Sequence, residues 1–131
     1  MSSLQVLYVD DEPDIREIAA IALGLDPGIG VRLAESGAQA LAMVGAAGWS
    51  PDVILLDVMM PGMDGPAVMK ALREQPRSAP IPIVFITART QSQDRMRLLQ
   101  LGAIGVIGKP FDPMTLAKEL RAVLSAERVG D

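Results

Sequence analysis

Five short runs rich in Val, Ile and Leu recur along the chain, and the segments between them carry apolar residues at helical spacing. No other feature restricts the fold as much. The runs cover residues 4–9, 29–34, 52–57, 82–87 and 104–108. Val53-Ile54-Leu55-Leu56 and Ile83-Val84-Phe85-Ile86 are apolar at every position, as strands covered on both faces must be. Helices are expected over 13–25, 36–47, 65–74, 90–101 and 113–127. In the first, Ile15, Ile18, Ala19 and Ala22 share a side, and Pro13 suits the opening turn, where its missing N–H is no loss. Leu41 and Val44 turn inward in the second, and Leu116, Leu120, Val123 and Leu124 line one side of the last. Gly28 with Gly30, Gly48 with Pro51, Pro76 with Pro80, and Gly102 punctuate the changes from helix to strand. Right-handed crossovers place successive helices over a sheet, so strict alternation predicts an α/β fold: a doubly wound five-stranded parallel sheet with five helices. Tyr8 and Phe85 read as packing residues.

Composition narrows the chemistry. A chain of 131 residues can bury a real core as one domain, expected here over 1–131 with its core at about 4–127 and no output domain after it. No apolar run approaches the roughly 20 residues that span a bilayer, and the N-terminus lacks a basic stretch before an apolar one, so a soluble cytoplasmic protein is expected. The absence of cysteine removes disulfides, thiolate nucleophiles and zinc–thiolate sites. The absence of histidine removes the commonest general base and the usual transition-metal ligand. A net charge of -4 argues against direct nucleic-acid binding, which relies on cations neutralising phosphates. There is no internal repeat or linker, and residues 128–131 read as a frayed end. Carboxylates, hydroxyls and lysine are left to carry any polar chemistry.

In open parallel sheets ligands bind beyond the carboxyl ends of the strands, and the polar residues gather there. Asp10 and Asp11 follow the first strand, Asp57 ends the third, Thr87 ends the fourth and Lys109 follows the fifth. Taken singly, Asp10, Asp11 or Glu12 reads as a cap for the helix at Pro13, Lys109 as a solvated charge, and Thr87 as a turn residue. Taken together, three converging carboxylates repel one another and call for a cation. Oxygen ligands without His or Cys favour Mg2+, and Lys109 supplies a second, organic cation. Phosphoryl transfer needs such a set, because its transition state carries charge on oxygens and is helped by positioning and cations. Asp57 is then the nucleophile, Lys109 neutralises charge, the Thr87 hydroxyl donates to a phosphoryl oxygen, and small Ala88 leaves room for a donor.

Four segments, Val9-Asp10-Asp11-Glu12-Pro13, Leu56-Asp57-Val58-Met59-Met60-Pro61-Gly62-Met63-Asp64-Gly65, Ile86-Thr87-Ala88 and Lys109-Pro110-Phe111, closely resemble the receiver domain of two-component response regulators, over nearly the whole chain. The resemblance implies a flavodoxin-like sheet of strand order 2-1-3-4-5 and a phosphoacceptor role for Asp57 in a phosphorelay, without conventional substrate turnover. It also implies Mg2+ held directly by Asp11 and Asp57, through water by Asp10, and by the backbone carbonyl of Met59. Thr87, Ala88 and Lys109 would meet the phosphoryl group, and the Lys109–Pro110 bond would be cis. The implied partners are a sensor histidine kinase or phosphotransfer protein and an unknown downstream protein target; a homodimer through helix 4, strand 5 and helix 5 is left open, and no membrane partner is implied. Pro61, Gly62 and Gly65 shape the turn that presents Asp57.

One position departs from the family. Receivers commonly carry Tyr or Phe three residues before the lysine, and here Val106 stands there. A valine cannot swing a ring, so the signal is expected to pass through Thr87 and the following loop, while Met59 and Arg89 occupy positions that tune phosphoryl lifetime. Three other functions compete. A phosphorylation-independent interaction module leaves the intact acidic set unexplained. An aspartate-nucleophile phosphatase normally has a second aspartate two residues after the first, where Met59 stands. A flavin-binding fold needs a phosphate loop after the first strand, where Asp10 and Asp11 stand instead.

Overall fold

The five apolar runs form β1 (Leu4–Val9), β2 (Ile29–Ala34), β3 (Val53–Asp57), β4 (Ile83–Thr87) and β5 (Gly105–Gly108) in a computed structural model that describes residues 3–46 and 48–129. Between and after them lie α1 (Pro13–Gly24), α2 (Gly37–Gly45), α3 (Gly65–Arg73), α4 (Ser92–Leu101) and α5 (Leu116–Val129). All pairings are parallel and the order is β2-β1-β3-β4-β5, the flavodoxin-like topology that the resemblance implied. The chain starts on β1, crosses to the edge at β2, returns past β1 to β3 and continues outward. Strand order therefore reverses between β1 and β3, so the carboxyl ends of these two strands flank the crevice where ligands of such sheets bind.

Every residue of β3 and β4 is buried, because helices cover both faces. Alternate side chains divide the core into two layers. Val6, Tyr8, Leu55, Val84 and Ile86 pack beneath α1 and α5, against Ala19, Leu23, Leu116 and Leu120. Leu7, Val9, Ile54, Leu56, Phe85 and Val106 pack beneath α2, α3 and α4, against Val44, Val68, Leu72 and Leu98. This division also sorts the polar strand ends: Asp57 continues the face of Val53 and Leu55, and Thr87 continues the face of Ile83 and Phe85.

The helices differ from the sequence expectation mainly at their ends. Ser36 caps α2, its side chain accepting from the Gln39 N–H, so the helix starts one residue later than expected; its expected end at Ala47 lies outside the described residues. Thr90 and Gln91 precede α4 rather than opening it. Residues 113–115 form a turn on Asp112, whose carboxylate accepts from the Met114 N–H, which delays α5 to Leu116. The last helix runs to Val129, past the expected 127 and into the segment read as frayed; residues 130–131 lie outside the described residues. Gly30 sits inside β2 opposite Gln5 rather than at a helix–strand junction. Ile18, expected on the packed side of α1, is 41% exposed, and Leu23 takes its place in the core.

The loop after β3 is fixed by two glycines. Gly62 has a φ of 79°, a left-handed conformation open to glycine at little cost. At Gly65 an added Cβ would lie 2.6 Å from the Asp57 carbonyl oxygen and 2.9 Å from the Val58 Cα, both backbone atoms that cannot step aside. Gly65→Ala should therefore lower unfolding free energy by about 1–3 kcal/mol in urea titrations. Gly24→Ala, at the end of α1 with nothing within 4 Å of the new methyl, should leave stability unchanged or raise it by about 0.5–1 kcal/mol.

Candidate functional site

The site is built from the ends of four strands. The Asp10 N–H still bonds the Ala34 carbonyl at 3.1 Å, so its backbone extends the β1 ladder by one residue and its side chain continues the face of Val6 and Tyr8. Asp57 is the last residue of β3 and only 4% exposed. The Lys109 N–H bonds the Thr87 carbonyl at 2.9 Å, which fixes the start of the loop after β5, and the Lys109–Pro110 bond is cis. Parallel strands of similar length thus end at one level, and residues nearly a hundred positions apart meet there.

Lys109 is the hub. Its Nζ donates to Asp10 Oδ2 at 3.0 Å, Glu12 Oε1 at 3.2 Å and Asp57 Oδ2 at 3.4 Å. Asp10 is fully buried, its Oδ1 accepting from the Glu12 N–H at 3.0 Å and its Oδ2 also accepting from the Tyr8 hydroxyl at 2.9 Å. The Arg16 guanidinium donates to the Asp10 carbonyl at 2.8 Å and ties the first turn of α1 to the end of β1. Asp57 Oδ1 accepts from the Met59 N–H at 3.3 Å. One ammonium among three carboxylates leaves a negative surplus, and oxygens of Asp10, Asp11 and Asp57 lie within 4.8 Å of one another. Three hard oxygen donors at that spacing fit a divalent cation such as Mg2+.

Electrostatics follow from this crowding. Burial, and next the charge of Asp10, raise the Asp57 pKa to about 6, more than the nearby Lys109 and the Met59 N–H lower it. For Lys109 burial is the largest single influence and acts against the charged form. The hydrogen bond to Asp10 and the charges of Asp57 and Asp10 together outweigh it, holding the ammonium protonated to well above its ordinary range. Burial, with the neighbouring Asp10 charge, likewise keeps the Tyr8 phenol protonated.

Thr87 stands one register step beyond the Asp57 partner Ile86 and is buried. Its Oγ1 accepts from the Arg89 N–H at 3.0 Å, which leaves the hydroxyl proton free to donate. Thr87 is not bonded to the carboxylates. Ala88, Arg89 and Met59 are exposed, Met59 by 66%. Beside the carboxylates opens a groove of about 470 Å³ whose apolar walls include Ile15, Ile18, Met59, Ala88, Phe111 and Pro113, with Asp57, Lys109 and Glu12 at its polar side.

Sequence reasoning brought Asp10, Asp11, Asp57 and Lys109 to one place, and the structure does the same. It missed Glu12 as a partner of Lys109 and the hydroxyl of Tyr8 as a partner of Asp10. Tyr8 was findable, because residues two apart on a strand share a face. Glu12 carried no such signal, since it lies beyond the strand end, next to Pro13, where an acidic residue reads as a cap for α1.

A sequence profile of the response regulator receiver domain matches residues 6–121. The phosphate regulon transcriptional regulatory protein PhoB of Pseudomonas aeruginosa is 38% identical over 126 residues, which are 96% of this chain and 54% of that protein. The response regulator PleD of Caulobacter vibrioides is 40% identical over 130 residues, 98% of this chain and 28% of that one. The chain thus spans about half or less of the curated relatives named here. Among solved structures, the chemotaxis response regulator CheY4 of Vibrio cholerae superimposes with a TM-score of 0.83 at 38% identity, covering 93% of this chain and 99% of its own. With the profile spanning most of its length and the fold in common, the chain belongs to the response regulator receiver domain family.

Proposed function

We propose that Asp57 accepts a phosphoryl group from a phosphohistidine on a sensor kinase or phosphotransfer protein. The observation that carries this reading is a buried carboxylate at the end of an apolar strand, 3.4 Å from a lysine and grouped with two further carboxylates. With a pKa of about 6 Asp57 is mostly ionised at neutral pH and available as a nucleophile. An Asp57 carboxylate oxygen forms the new bond to phosphorus as the bond from phosphorus to the donor imidazole nitrogen breaks, and the imidazole leaves with that electron pair. Lys109 is placed to neutralise charge on a phosphoryl oxygen, and the free proton of the Thr87 hydroxyl to donate to another. Asp11, Asp57 and the Met59 carbonyl would hold Mg2+, with Asp10 further back because both of its oxygens already have partners. Mg2+, when bound, offsets the repulsion between carboxylate and phosphoryl oxygens. The product is a modified receiver, so the chain acts as a switch without turning over a conventional substrate.

The groove gives the donor its place. Ile15 and Ile18 on α1, with Phe111 and Pro113 after β5, present apolar surface beside Asp57, suited to a partner helix whose histidine reaches past Ala88. Readout belongs to the other layer, where Thr87 points. There α4 buries only Leu98, has no side-chain cap at its N-terminus and exposes Met96, Leu99 and Leu101. A helix so lightly anchored can respond to movement of Thr87 without an aromatic ring at Val106, and the face of α4, β5 and α5 is the proposed docking surface for a target protein or a second copy.

Incubation with a small-molecule phosphodonor and Mg2+ should add one phosphoryl group by intact mass to the wild type and none to Asp57→Asn. Lys109→Met should slow the reaction about 100-fold. Equal adduct in wild type and Asp57→Asn would refute the assignment. The raised pKa of Asp57 makes a second prediction. Its neutral form is favoured in the folded state, so Asp57 weakens stability as pH rises from about 4 through about 6. In chelator-treated protein Asp57→Asn should therefore raise the urea midpoint at pH 8 but not at pH 4, and an equal shift at both pH values would contradict the raised value.

A further inference from the structure

The hydroxyl of Tyr8 is a buried polar group to which phosphoryl transfer gives no task. Tyr8 is fully buried in β1, its ring packed in the layer beneath α1 and α5, and its hydroxyl donates to Asp10 Oδ2 at 2.9 Å. Packing alone does not call for tyrosine, since phenylalanine fills the same space with no hydroxyl to satisfy. The alternation of a strand puts residues 8 and 10 on one face, so the phenol end of the ring meets the carboxylate that closes β1.

Asp10 needs such a partner. It is fully buried, and the other side-chain donor to it, Lys109, is divided among Asp10, Glu12 and Asp57. On the proposed reading, Lys109 is also the group that would turn to a phosphoryl oxygen on Asp57. The Glu12 N–H holds Oδ1 at 3.0 Å, and a single bond to one oxygen leaves the carboxylate free to turn. A neutral hydroxyl on a packed ring, bonded to the second oxygen, stops that rotation and does not move with Lys109.

We infer that Tyr8 is a positioning residue: its hydroxyl fixes the plane of the Asp10 carboxylate, so that the acidic trio is preformed for Mg2+ and stays so while Lys109 turns to the phosphoryl group. The inference rests on the reading of Asp10, Asp11 and Asp57 as the Mg2+ site. Partners that orient a direct metal ligand from behind are typically worth about 10–100-fold in affinity, and for Asp10, set back from the ion, the lower end of about tenfold is expected.

The test titrates the full chain with magnesium chloride by calorimetry, comparing wild type with Tyr8→Phe. The same proteins are examined by ultraviolet resonance Raman, in which the tyrosine signal belongs to Tyr8 because the chain has one tyrosine. Tyr8→Phe should fold and bind Mg2+ about tenfold more weakly, and the wild-type tyrosine signal should be that of a donor to a carboxylate, altered by Asp10→Asn. Affinities within about twofold of each other would overturn the inference while leaving the Mg2+ site standing. Should Tyr8→Phe fail to fold, a tyrosine signal identical in wild type and Asp10→Asn overturns it equally. Absence of Mg2+ binding by wild type overturns the Mg2+ reading itself, and this inference with it.

Discussion

A single ammonium group shared by three carboxylates holds the functional end of this molecule together. Lys109 reaches Asp10, Glu12 and Asp57, and through them ties the start of α1 and the ends of β1 and β3 to the loop after β5. Buried charges of one sign are costly without compensation, and here compensation is incomplete. Burial first, and then that shortfall, raises the Asp57 pKa; the surplus carboxylates keep Lys109 protonated against its own burial, and the cluster is left receptive to a further cation. A site with its charges already balanced would have no such appetite. The same shortfall suits a phosphoryl acceptor, because the cations that quiet the resting carboxylates are the ones that charge on an incoming phosphoryl group calls for.

The sheet makes this economy possible. Parallel strands bring their carboxyl ends to one edge, and reversal of strand order between β1 and β3 opens a crevice there. The period of two along each strand then assigns faces: Asp10 and Asp57 to the α1 and α5 layer, Thr87 to the layer of α4. The carboxylates and Thr87 thus stand on opposite faces of one sheet, joined at the strand ends where the Lys109 N–H bonds the Thr87 carbonyl. The apolar groove lies with the first layer, and the lightly anchored α4 with the second.

Much of this was legible in the sequence, for identifiable reasons. Continuous apolar runs such as Val53 to Leu56 announce doubly covered strands, and the residues that end them mark the rim where Asp57 and Thr87 stand. Helix ends were less legible, because they depend on single caps: Ser36 holds one N–H and shortens α2, and a turn on Asp112 delays α5. Ile18 misled, since helical spacing cannot tell a core contact from the wall of a groove. Glu12 escaped for another reason. A pattern of residue types shows which groups gather, but the bonds each one makes depend on distances that only the folded chain sets.

The central claim, that Asp57 and not another group of the rim takes the phosphoryl, is tested most directly by chemical trapping. Borohydride reduces an acyl phosphate to an alcohol, turning the modified aspartate into homoserine, which peptide mass mapping locates. After reaction with a phosphodonor and Mg2+, homoserine is predicted at position 57. Homoserine at Asp10 or Asp11, or a phosphoryl group that survives borohydride on the Thr87 hydroxyl, would contradict the account.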